Sequence, residues 1–367
     1  MYVPPNPKII REDISEILKA DLPWESLSGK NILITGGAGM LAAYLVETLL
    51  LLPEHVKCAP PQVTVLVRNR DKAEKRFAGY LHRPNFTLRT DDIGRDLERS
   101  VFPGTQVIIH AASIARPDVN KPVEVMAPNI LGTWNLLELA RTLSDFEQFI
   151  YFSSGIVNGE NIKSDVPISE DMYFASSCTA PAACYSEAKR AGETICLSFM
   201  RQYGVPVKLL RYFGCYGPGM DLNNDPRAFT SFIRSAVCEK DIVLHSAGEE
   251  TRFWCYLTDA TDAFFRVFFE PRHGEAWNIA NDNAGCTIRE LAELARELSP
   301  RKKIAVQYDP ASVPAGYTPF KSPYLTVPDT RKIRALGYVP KISIREGLRR
   351  TIKAYCQQKE PNHAIGK

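Results

Sequence analysis

Residues 32–42 read ILITGGAGMLA, an apolar run that passes through a glycine cluster into a second apolar segment. Gly37, Gly39 and Ala42 satisfy the spacing G-x-G-x-x-G/A, which joins a buried strand to a helix in dinucleotide-binding folds. Glycines let the backbone turn tightly and approach a pyrophosphate, whose charge is met by the free N–H groups at the start of the helix. This stretch therefore predicts a strand at 31–35, a helix at 40–52 and a dinucleotide site between them.

Strands and helices continue to alternate after the glycine cluster. Short apolar strands are predicted at 63–67, 107–111 and 149–152, and a helix is predicted at 130–141. Buried strands that alternate with helices indicate a parallel sheet covered on both faces. We therefore expect an α/β fold, a Rossmann-type doubly wound parallel sheet with a smaller C-terminal lobe that binds the substrate.

Changes in pattern along the chain divide it into expected segments. Residues 1–27 form an N-terminal arm, whose short helix within 9–22 packs on the main body or on a partner subunit. The other expected segments are a Rossmann cofactor-binding domain at 28–216, rejoined by 253–270, a substrate-binding lobe at 217–252 and 271–345, and a closing helix and tail at 346–367.

The composition excludes several classes of protein. With 45 Lys and Arg against 42 Asp and Glu, the net charge of +3 is too balanced for a nucleic-acid binder. Nine scattered cysteines without a Cys-x-x-Cys pair argue against a disulfide framework or a zinc site, and favour a reducing cytosol. The chain begins without a signal-peptide pattern, and its most apolar stretch, 45–52, is too short to span a bilayer. We expect a cytoplasmic enzyme that binds no metal, nucleic acid or membrane.

The end of the second predicted strand bears on the choice of cofactor. Residues 67–70 read VRNR and lack the carboxylate that usually binds the adenosine ribose. The Arg68 guanidinium suits a ribose 2′-phosphate, because arginine makes paired, charge-assisted hydrogen bonds to phosphate. A solvated arginine at the end of a strand is equally compatible with the sequence. The pattern therefore favours NADP and leaves NAD open.

Tyr185 and Lys189 carry the clearest chemical signal. They lie four residues apart on one face of a predicted helix. A nearby cation lowers the pKa of a tyrosine, and such a phenol can take a proton from a substrate hydroxyl while hydride leaves the same carbon. Alone, the pair is common on protein surfaces. Ser153 and Ser154 follow a predicted core strand at the sheet edge where ligands bind, so one hydroxyl can hold the reacting oxygen and the other can cap the turn.

Further motifs occur in order along residues 28–357. They are Thr35-Gly-Gly-Ala-Gly, Asp92-Ile93, His110-Ala-Ala, Asn129-x-x-Gly132-Thr133, Ser153-Ser154, Tyr185-x-x-x-Lys189, Arg211-Tyr-Phe-x-x-Tyr-Gly-Pro218, Gly248-x-x-x-Arg252 and Leu336-Gly-Tyr-x-Pro340. Together they resemble the extended short-chain dehydrogenase/reductases, and within them the NAD-dependent epimerase/dehydratase family of nucleotide-sugar enzymes, to which UDP-galactose 4-epimerase belongs. So many ordered motifs make chance agreement negligible.

The resemblance implies roles for particular residues and a homodimeric enzyme that binds a nucleotide sugar. Ser154, Tyr185 and Lys189 would be the catalytic triad, and Asn129 would support the active-site helix. The resemblance implies that the cofactor is bound by Gly36, Gly39, Met40, Leu41, Ala42, Asp92, Ile93, Ala111, Ala112, Tyr185, Lys189 and Tyr212, and the residues at the end of the second strand add Arg68. It implies that the substrate is bound by Ser154, Gly214 and Arg252, with Arg252 meeting the diphosphate.

Gly155 and Ile156 narrow the expected reaction. The 4,6-dehydratases of this family carry an Asp-Glu pair directly after the catalytic hydroxyl residue, and the UDP-glucuronate decarboxylases carry a glutamate there. Neither residue of this chain can move a proton, whereas epimerisation at sugar carbon 4 through a 4-keto intermediate needs only the triad and the bound cofactor. An NADPH-dependent keto-sugar nucleotide reductase is the alternative. A dehydratase or decarboxylase is disfavoured, and the intact triad argues against a catalytically silent scaffold.

Two departures from the family pattern indicate an atypical substrate, and a third position leaves open whether the sugar carries a carboxylate. Gly214 replaces the family's usual asparagine, and Asn158 replaces a tyrosine. Arg116 could meet a sugar carboxylate, although a solvated loop residue is the favoured interpretation.

Overall fold

The computed structural model describes residues 3–95, 97, 102–114, 121–159, 166–180, 182–225, 227–300, 303–311 and 327–356. Its strands are β1 (Asn31–Thr35), β2 (Gln62–Val67), β3 (Phe86–Thr90), β4 (Val107–His110), β5 (Gln148–Ser154), β6 (Val207–Tyr212), β7 (Cys215–Tyr216), β8 (Ile242–Leu244), β9 (Thr251–Phe253), β10 (Cys255–Tyr256), β11 (Ala276–Ile279), β12 (Gly285–Thr287) and β13 (Val306–Tyr308). Its α-helices are α1 (Pro7–Ile17), α2 (Met40–Leu51), α3 (Arg70–Arg76), α4 (Pro122–Ala140), α5 (Ala183–Tyr203), α6 (Ala228–Cys238), α7 (Leu257–Phe269), α8 (Ile288–Glu297), α9 (Arg331–Arg334) and α10 (Ile344–Cys356).

Seven parallel strands form the central sheet in the order β3-β2-β1-β4-β5-β6-β11. Neighbouring residues of one strand face opposite sides, so Ile108 packs with α4 and α5 while Ile109 packs with α1, α2 and α7. The expected doubly wound Rossmann fold is confirmed. The strand order reverses between β1 and β4, and ligands of such sheets bind in the crevice at this point.

Two parts of the fold differ from the prediction. Helix α4 begins at Pro122, eight residues before the predicted start, and continues through Pro128 although proline removes a helical hydrogen bond. The segment 253–270 contributes α7 to the sheet's face, but its strand β10 pairs with β7, and the strand that completes the sheet is β11. Residues 276–279, which we assigned to the substrate lobe, thus belong to the sheet. The other lobe boundaries stay predictions.

The N-terminal helix α1 is held by its buried Asp13. The Asp13 carboxylate accepts hydrogen bonds from Tyr44 of α2 at 2.8 Å, Tyr256 of β10 at 2.6 Å and Arg350 of α10 at 2.7 Å. Paired and hydrogen-bonded in this way, a buried charge is tolerated. The arm therefore joins α2 of the Rossmann domain to the closing helix α10.

A separate apolar cluster, formed largely by α6, α8 and α10, underlies the second lobe. None of the helices among the described residues combines the length and the apolar character needed to cross a membrane.

Candidate active site

The turn between β1 and α2 lies directly against the end of β4. Gly36 has a φ of +67°, and a Cβ there would come within 2.6 Å of the Cα of Ala112. The Gly36 N–H donates to the Leu66 carbonyl of β2 at 2.8 Å. Only glycine fits this left-handed, crowded position. The turn, Ala111 and Ala112 therefore line one crevice at the switch in strand order.

The N-terminus of α2 opens into this crevice. Its N-cap residue is Gly39, no side chain caps it, and its first turn holds no acidic residue. The N–H groups of Met40, Leu41 and Ala42 consequently have no partner within the helix. Such a helix end binds a diphosphate through these donors and its dipole. The residues present fit a dinucleotide, whose pyrophosphate they would hold.

The adenine side of the crevice contains the other expected cofactor residues. Ile93 is buried against Gly132 of α4, where a Cβ would come within 2.6 Å of the Ile93 side chain. The Asp92 carboxylate accepts a hydrogen bond from the Gly94 N–H at 3.0 Å and shapes this turn. Arg68 is exposed, two residues beyond the Leu66 carbonyl that bonds Gly36. Its position leaves the guanidinium available to a 2′-phosphate.

Replacing Arg68 with aspartate is expected to lower the ratio of NADP affinity to NAD affinity by about tenfold or more, because one charge-assisted phosphate contact contributes roughly 1.5–3 kcal/mol. Titration of both cofactors by tryptophan fluorescence measures this ratio, and Arg70→Asp, on the neighbouring exposed arginine, is the control. An unchanged ratio would show that Arg68 does not contact the cofactor.

The structure brings Ser154 and Tyr185 into direct contact. Ser154 is the last residue of β5, Tyr185 lies in the first turn of α5, and their side chains are hydrogen-bonded. The Ser154 hydroxyl also accepts a hydrogen bond from the Ile156 N–H at 3.4 Å. Helix α5 approaches β5 closely because Gly192 faces Tyr151, where a Cβ would come within 2.1 Å of the phenol oxygen.

The electrostatics at Tyr185 differ from the prediction. Burial raises the pKa of Tyr185, whereas its hydrogen bond to Ser154 and the charge of Arg227 act to lower that pKa. Lys189 does not contribute, so the predicted lowering of the tyrosine pKa by this lysine was wrong. The lysine ammonium instead donates to the Phe152 carbonyl at 2.5 Å and lies 4.8 Å from the centre of the Tyr151 ring. Burial lowers the pKa of Lys189 to about 7.

Arg227 was missed by the sequence analysis. It precedes α6, carries a two-pronged ion pair with Asp225, and lies close enough to act electrostatically on Tyr185. Half of its side chain is exposed, so it can meet an anionic ligand. No motif marks this arginine, because a loop of the second lobe carries it to the catalytic tyrosine.

The expected substrate residues Gly214 and Arg252 occupy neighbouring loops. Gly214 has a φ of +52°, and a Cβ there would come within 1.9 Å of the Phe253 carbonyl oxygen. Asparagine, which the family usually has at this position, would therefore collide with β9. Arg252 lies on β9 in an ion pair with Glu250, with its side chain 40% exposed. The two positions are neighbours, because Gly214 contacts the carbonyl of Phe253, which follows Arg252 in β9.

The remaining predicted residues have definite environments. Tyr212 packs against Phe152 with ring centres 4.7 Å apart, next to Ser154. Asn158 is buried, and its amide donates to the carbonyls of Ser169 at 3.2 Å and Met172 at 2.7 Å, so it holds a loop where the family has a tyrosine. Asn129 is buried on α4, with its carbonyl oxygen beside Gly192 of α5. Arg116 lies outside the described residues.

A buried polar network supports the catalytic residues from below. Glu193 of α5 accepts hydrogen bonds from Ser153 at 2.5 Å and from two nitrogens of Arg211 at 2.9 and 2.8 Å. Arg211 also donates to the Glu170 carbonyl at 2.7 Å and to the Tyr173 hydroxyl at 2.9 Å. The network links β5, α5 and β6 directly beneath Ser154 and Lys189.

Among the described residues, no three His, Cys, Asp or Glu side chains come together in a way that could hold a metal ion.

Known proteins share both this sequence pattern and this fold. UDP-glucuronic acid decarboxylase 6 of Arabidopsis thaliana is 29% identical over 324 residues, which are 88% of this chain and 87% of that protein. An epimerase from Methanothermobacter thermautotrophicus has 25% identity and a TM-score of 0.77, with 92% of this chain and 95% of that chain covered. UDP-glucuronic acid 4-epimerase from Bacillus cereus, in complex with UDP-glucuronic acid and NAD, has 23% identity, a TM-score of 0.73 and coverages of 89% and 99%.

Three features agree with one family assignment. They are the order of the motifs, the parallel sheet, and the glycine turn at the point where the strand order reverses. Residues 32–280 match the NAD dependent epimerase/dehydratase family. The resemblance inferred from the motifs is thereby confirmed, and with it an enzyme that acts on nucleotide sugars. The chain belongs to the NAD-dependent epimerase/dehydratase family.

Proposed function

We propose that this protein is a nucleotide-sugar 4-epimerase that recycles its bound nicotinamide cofactor in each turnover. One observation carries the proposal. Tyr185 contacts Ser154, and the residue that follows Ser154 is Gly155, which has no acidic side chain. Hydride transfer at one carbon requires a single proton acceptor, whereas elimination requires an additional acid or base. In the proposed site Tyr185 is the proton acceptor, and the position directly after Ser154 offers no additional acid or base.

The packing around Gly155 supports this distinction. A Cβ at Gly155 would come within 2.2 to 2.6 Å of three ring atoms of Phe213. A glutamate or aspartate could be accommodated only if this ring turned aside. The packing of Phe213 against Gly155 therefore matches a glycine at this position better than a carboxylate side chain.

The proposed chemistry assigns one proton path. When bound, the nicotinamide supplies a reversible hydride acceptor for the sugar carbon. The Tyr185 oxygen takes the proton of the 4-hydroxyl and later returns it, while the Ser154 hydroxyl donates a hydrogen bond to the reacting oxygen. Arg227 favours the phenolate form of Tyr185. Rotation of the keto sugar between the two hydride transfers inverts the carbon without a net gain or loss of atoms.

Two cations would bind the anionic parts of the substrate. Arg252 is placed for the diphosphate, as the family resemblance implies. Arg227, near Tyr185, is placed for an anionic group on or next to the sugar. UDP-glucuronic acid is bound by the Bacillus cereus epimerase and named for the Arabidopsis thaliana relative, so it belongs in any panel of candidate substrates.

Two other reactions have specific support. The similarity to UDP-glucuronic acid decarboxylases favours loss of carbon dioxide, against which the crowded Gly155 argues. Arg68 favours a keto-sugar reductase that consumes NADPH.

The absorbance of reduced nicotinamide during turnover tests the proposal. An epimerase leaves this absorbance unchanged at steady state, whereas a reductase lowers it in proportion to product.

We also propose that the enzyme is a cytoplasmic homodimer. The nine cysteines are free thiols, as a reducing compartment maintains them. Val123, Leu131 and Trp134 of α4 are exposed by 74%, 52% and 52%, and their spacing places them on one face of the helix. Such an apolar face is more often an interface than a free surface.

Trp134→Glu is expected to convert the dimer into a monomer, because a charge would be buried at the centre of this face. Sedimentation velocity measures the change. Tyr308→Glu, which alters an exposed aromatic residue on β13, should leave the mass unchanged. A wild type that sediments as a monomer would refute the dimer.

A further inference from the structure

Two cysteines lie side by side where the Rossmann sheet meets the second lobe. Cys215 of β7 and Cys255 of β10 are direct partners in a parallel strand pair, so their side chains project from the same face of that pair. Neighbouring strands lie about 4.7–4.9 Å apart. This spacing falls within the Cα separation of about 4.4–6.8 Å at which disulfides form. The strand pair thus holds the two cysteine backbones at a separation that a disulfide can span.

The two thiols differ in their access to solvent. Cys215 is partly exposed, whereas Cys255 is completely buried behind it. An oxidant therefore reaches Cys215 first, and the buried Cys255 reacts afterwards with the oxidised Cys215 sulfur. Arg227, the cation near Tyr185, also lies close enough to interact electrostatically with Cys215. The pair consequently borders the catalytic cleft.

We propose that Cys215 and Cys255 are a redox modification site, at which a small-molecule disulfide such as glutathione disulfide oxidises the pair to a reversible bridge. The Cys215 thiolate attacks one sulfur of glutathione disulfide, forming a mixed disulfide and releasing one glutathione thiolate. The Cys255 thiolate then attacks the Cys215 sulfur and releases the second glutathione. The two cysteines lose two electrons and two protons, and one glutathione disulfide is reduced to two glutathione molecules.

The bridge has a direct route to the substrate site. The Cys255 N–H donates to the Gly214 carbonyl at 3.1 Å, and Gly214 itself lies against the Phe253 carbonyl with no room for a Cβ. Because the bridge joins the strand pair that contains this hydrogen bond, any change in the geometry of the pair on oxidation is passed to Gly214 and so to β9, which carries Arg252. Since small displacements near the chemistry are costly, oxidation lowers turnover. This consequence rests on the proposed function, whereas formation of the bridge does not.

Oxidation of the full chain with glutathione disulfide tests both statements separately. Peptide mass spectrometry without reduction is expected to find a peptide pair joined through Cys215 and Cys255, two hydrogens lighter than the free thiols. Turnover of nucleotide sugar should fall about tenfold or more and recover with dithiothreitol. Cys215→Ser and Cys255→Ala, each compared with its own reduced form, should lose this sensitivity, and Cys238→Ser, at an exposed cysteine elsewhere, should keep it.

Two results would overturn the proposal. One is a Cys215 that carries only glutathione after prolonged oxidation. The other is an equal loss of activity on oxidation of Cys255→Ala. If the joined peptides form but the reduced enzyme turns over no nucleotide sugar, the proposed function fails and the modification site stands.

Discussion

Tyr185→Phe is expected to lower kcat by about 10²–10⁴-fold, the range that a positioned proton acceptor contributes. The phenylalanine ring fills the same space, so folding and cofactor affinity should remain near those of the wild type. Tyr203→Phe, at the exposed end of the same helix, is the matched control and should retain activity. Initial rates together with cofactor titration separate the two effects.

A Tyr185→Phe variant with near-normal turnover would remove Tyr185 from the catalytic centre. A variant that loses cofactor binding to the same extent as activity would indicate a structural role for the hydroxyl. Because Arg227 and the Ser154 hydrogen bond oppose the effect of burial on the pKa of Tyr185, the pH profile of kcat carries further information. Because Tyr185 must be deprotonated to take the substrate proton, Arg227→Gln should shift the rising limb of this profile to higher pH.

Glu193→Gln is expected to lower the free energy of unfolding by about 3–5 kcal/mol, the usual cost of removing one partner from a buried ion pair. The Arg211 guanidinium is 1% exposed and would keep its charge without a counterion. Urea unfolding followed by circular dichroism measures the change. Glu74→Gln, in the exposed pair of Glu74 with Arg70, is the control and should change stability by about 1 kcal/mol or less.

Equal stability losses in Glu193→Gln and Glu74→Gln would contradict the role assigned to the network. If Glu193→Gln is destabilised as expected, its residual activity after refolding is informative as well. Ser153 would lose an ionic acceptor directly beside Ser154, so kcat should fall more than KM rises.

The sequence alone allowed the cofactor half of the fold to be predicted, because local sterics determine it. A turn as tight as that at Gly36 excludes other residues, and the apolar strands on either side have no alternative to burial. The β11 strand could not be assigned in the same way. Its residues 276–279 join the sheet beside β6, pairing with residues 67 positions earlier in the chain, and pairing over that separation leaves no local pattern.

The pair proposed for catalysis could also be selected from the sequence, since Tyr185 and Lys189 share a helix face. Their electrostatics could not. The Lys189 ammonium is drawn toward the Phe152 carbonyl by packing between α5 and β5, and the cation that acts on Tyr185 comes from the loop before α6. The replacement of the family's usual asparagine by Gly214 is likewise explained only by the contact of Gly214 with Phe253. These features depend on contacts between segments distant in sequence.

The central claim is that the reaction interconverts two nucleotide sugars of equal mass by inversion at carbon 4. Incubation of the enzyme and a trace of cofactor with a panel of nucleotide sugars that includes UDP-glucuronic acid, read by mass spectrometry and proton NMR, tests it most directly. We predict a product of unchanged mass whose proton couplings differ only around carbon 4. A product lighter by one water or one carbon dioxide, or heavier by two hydrogens, would contradict the account.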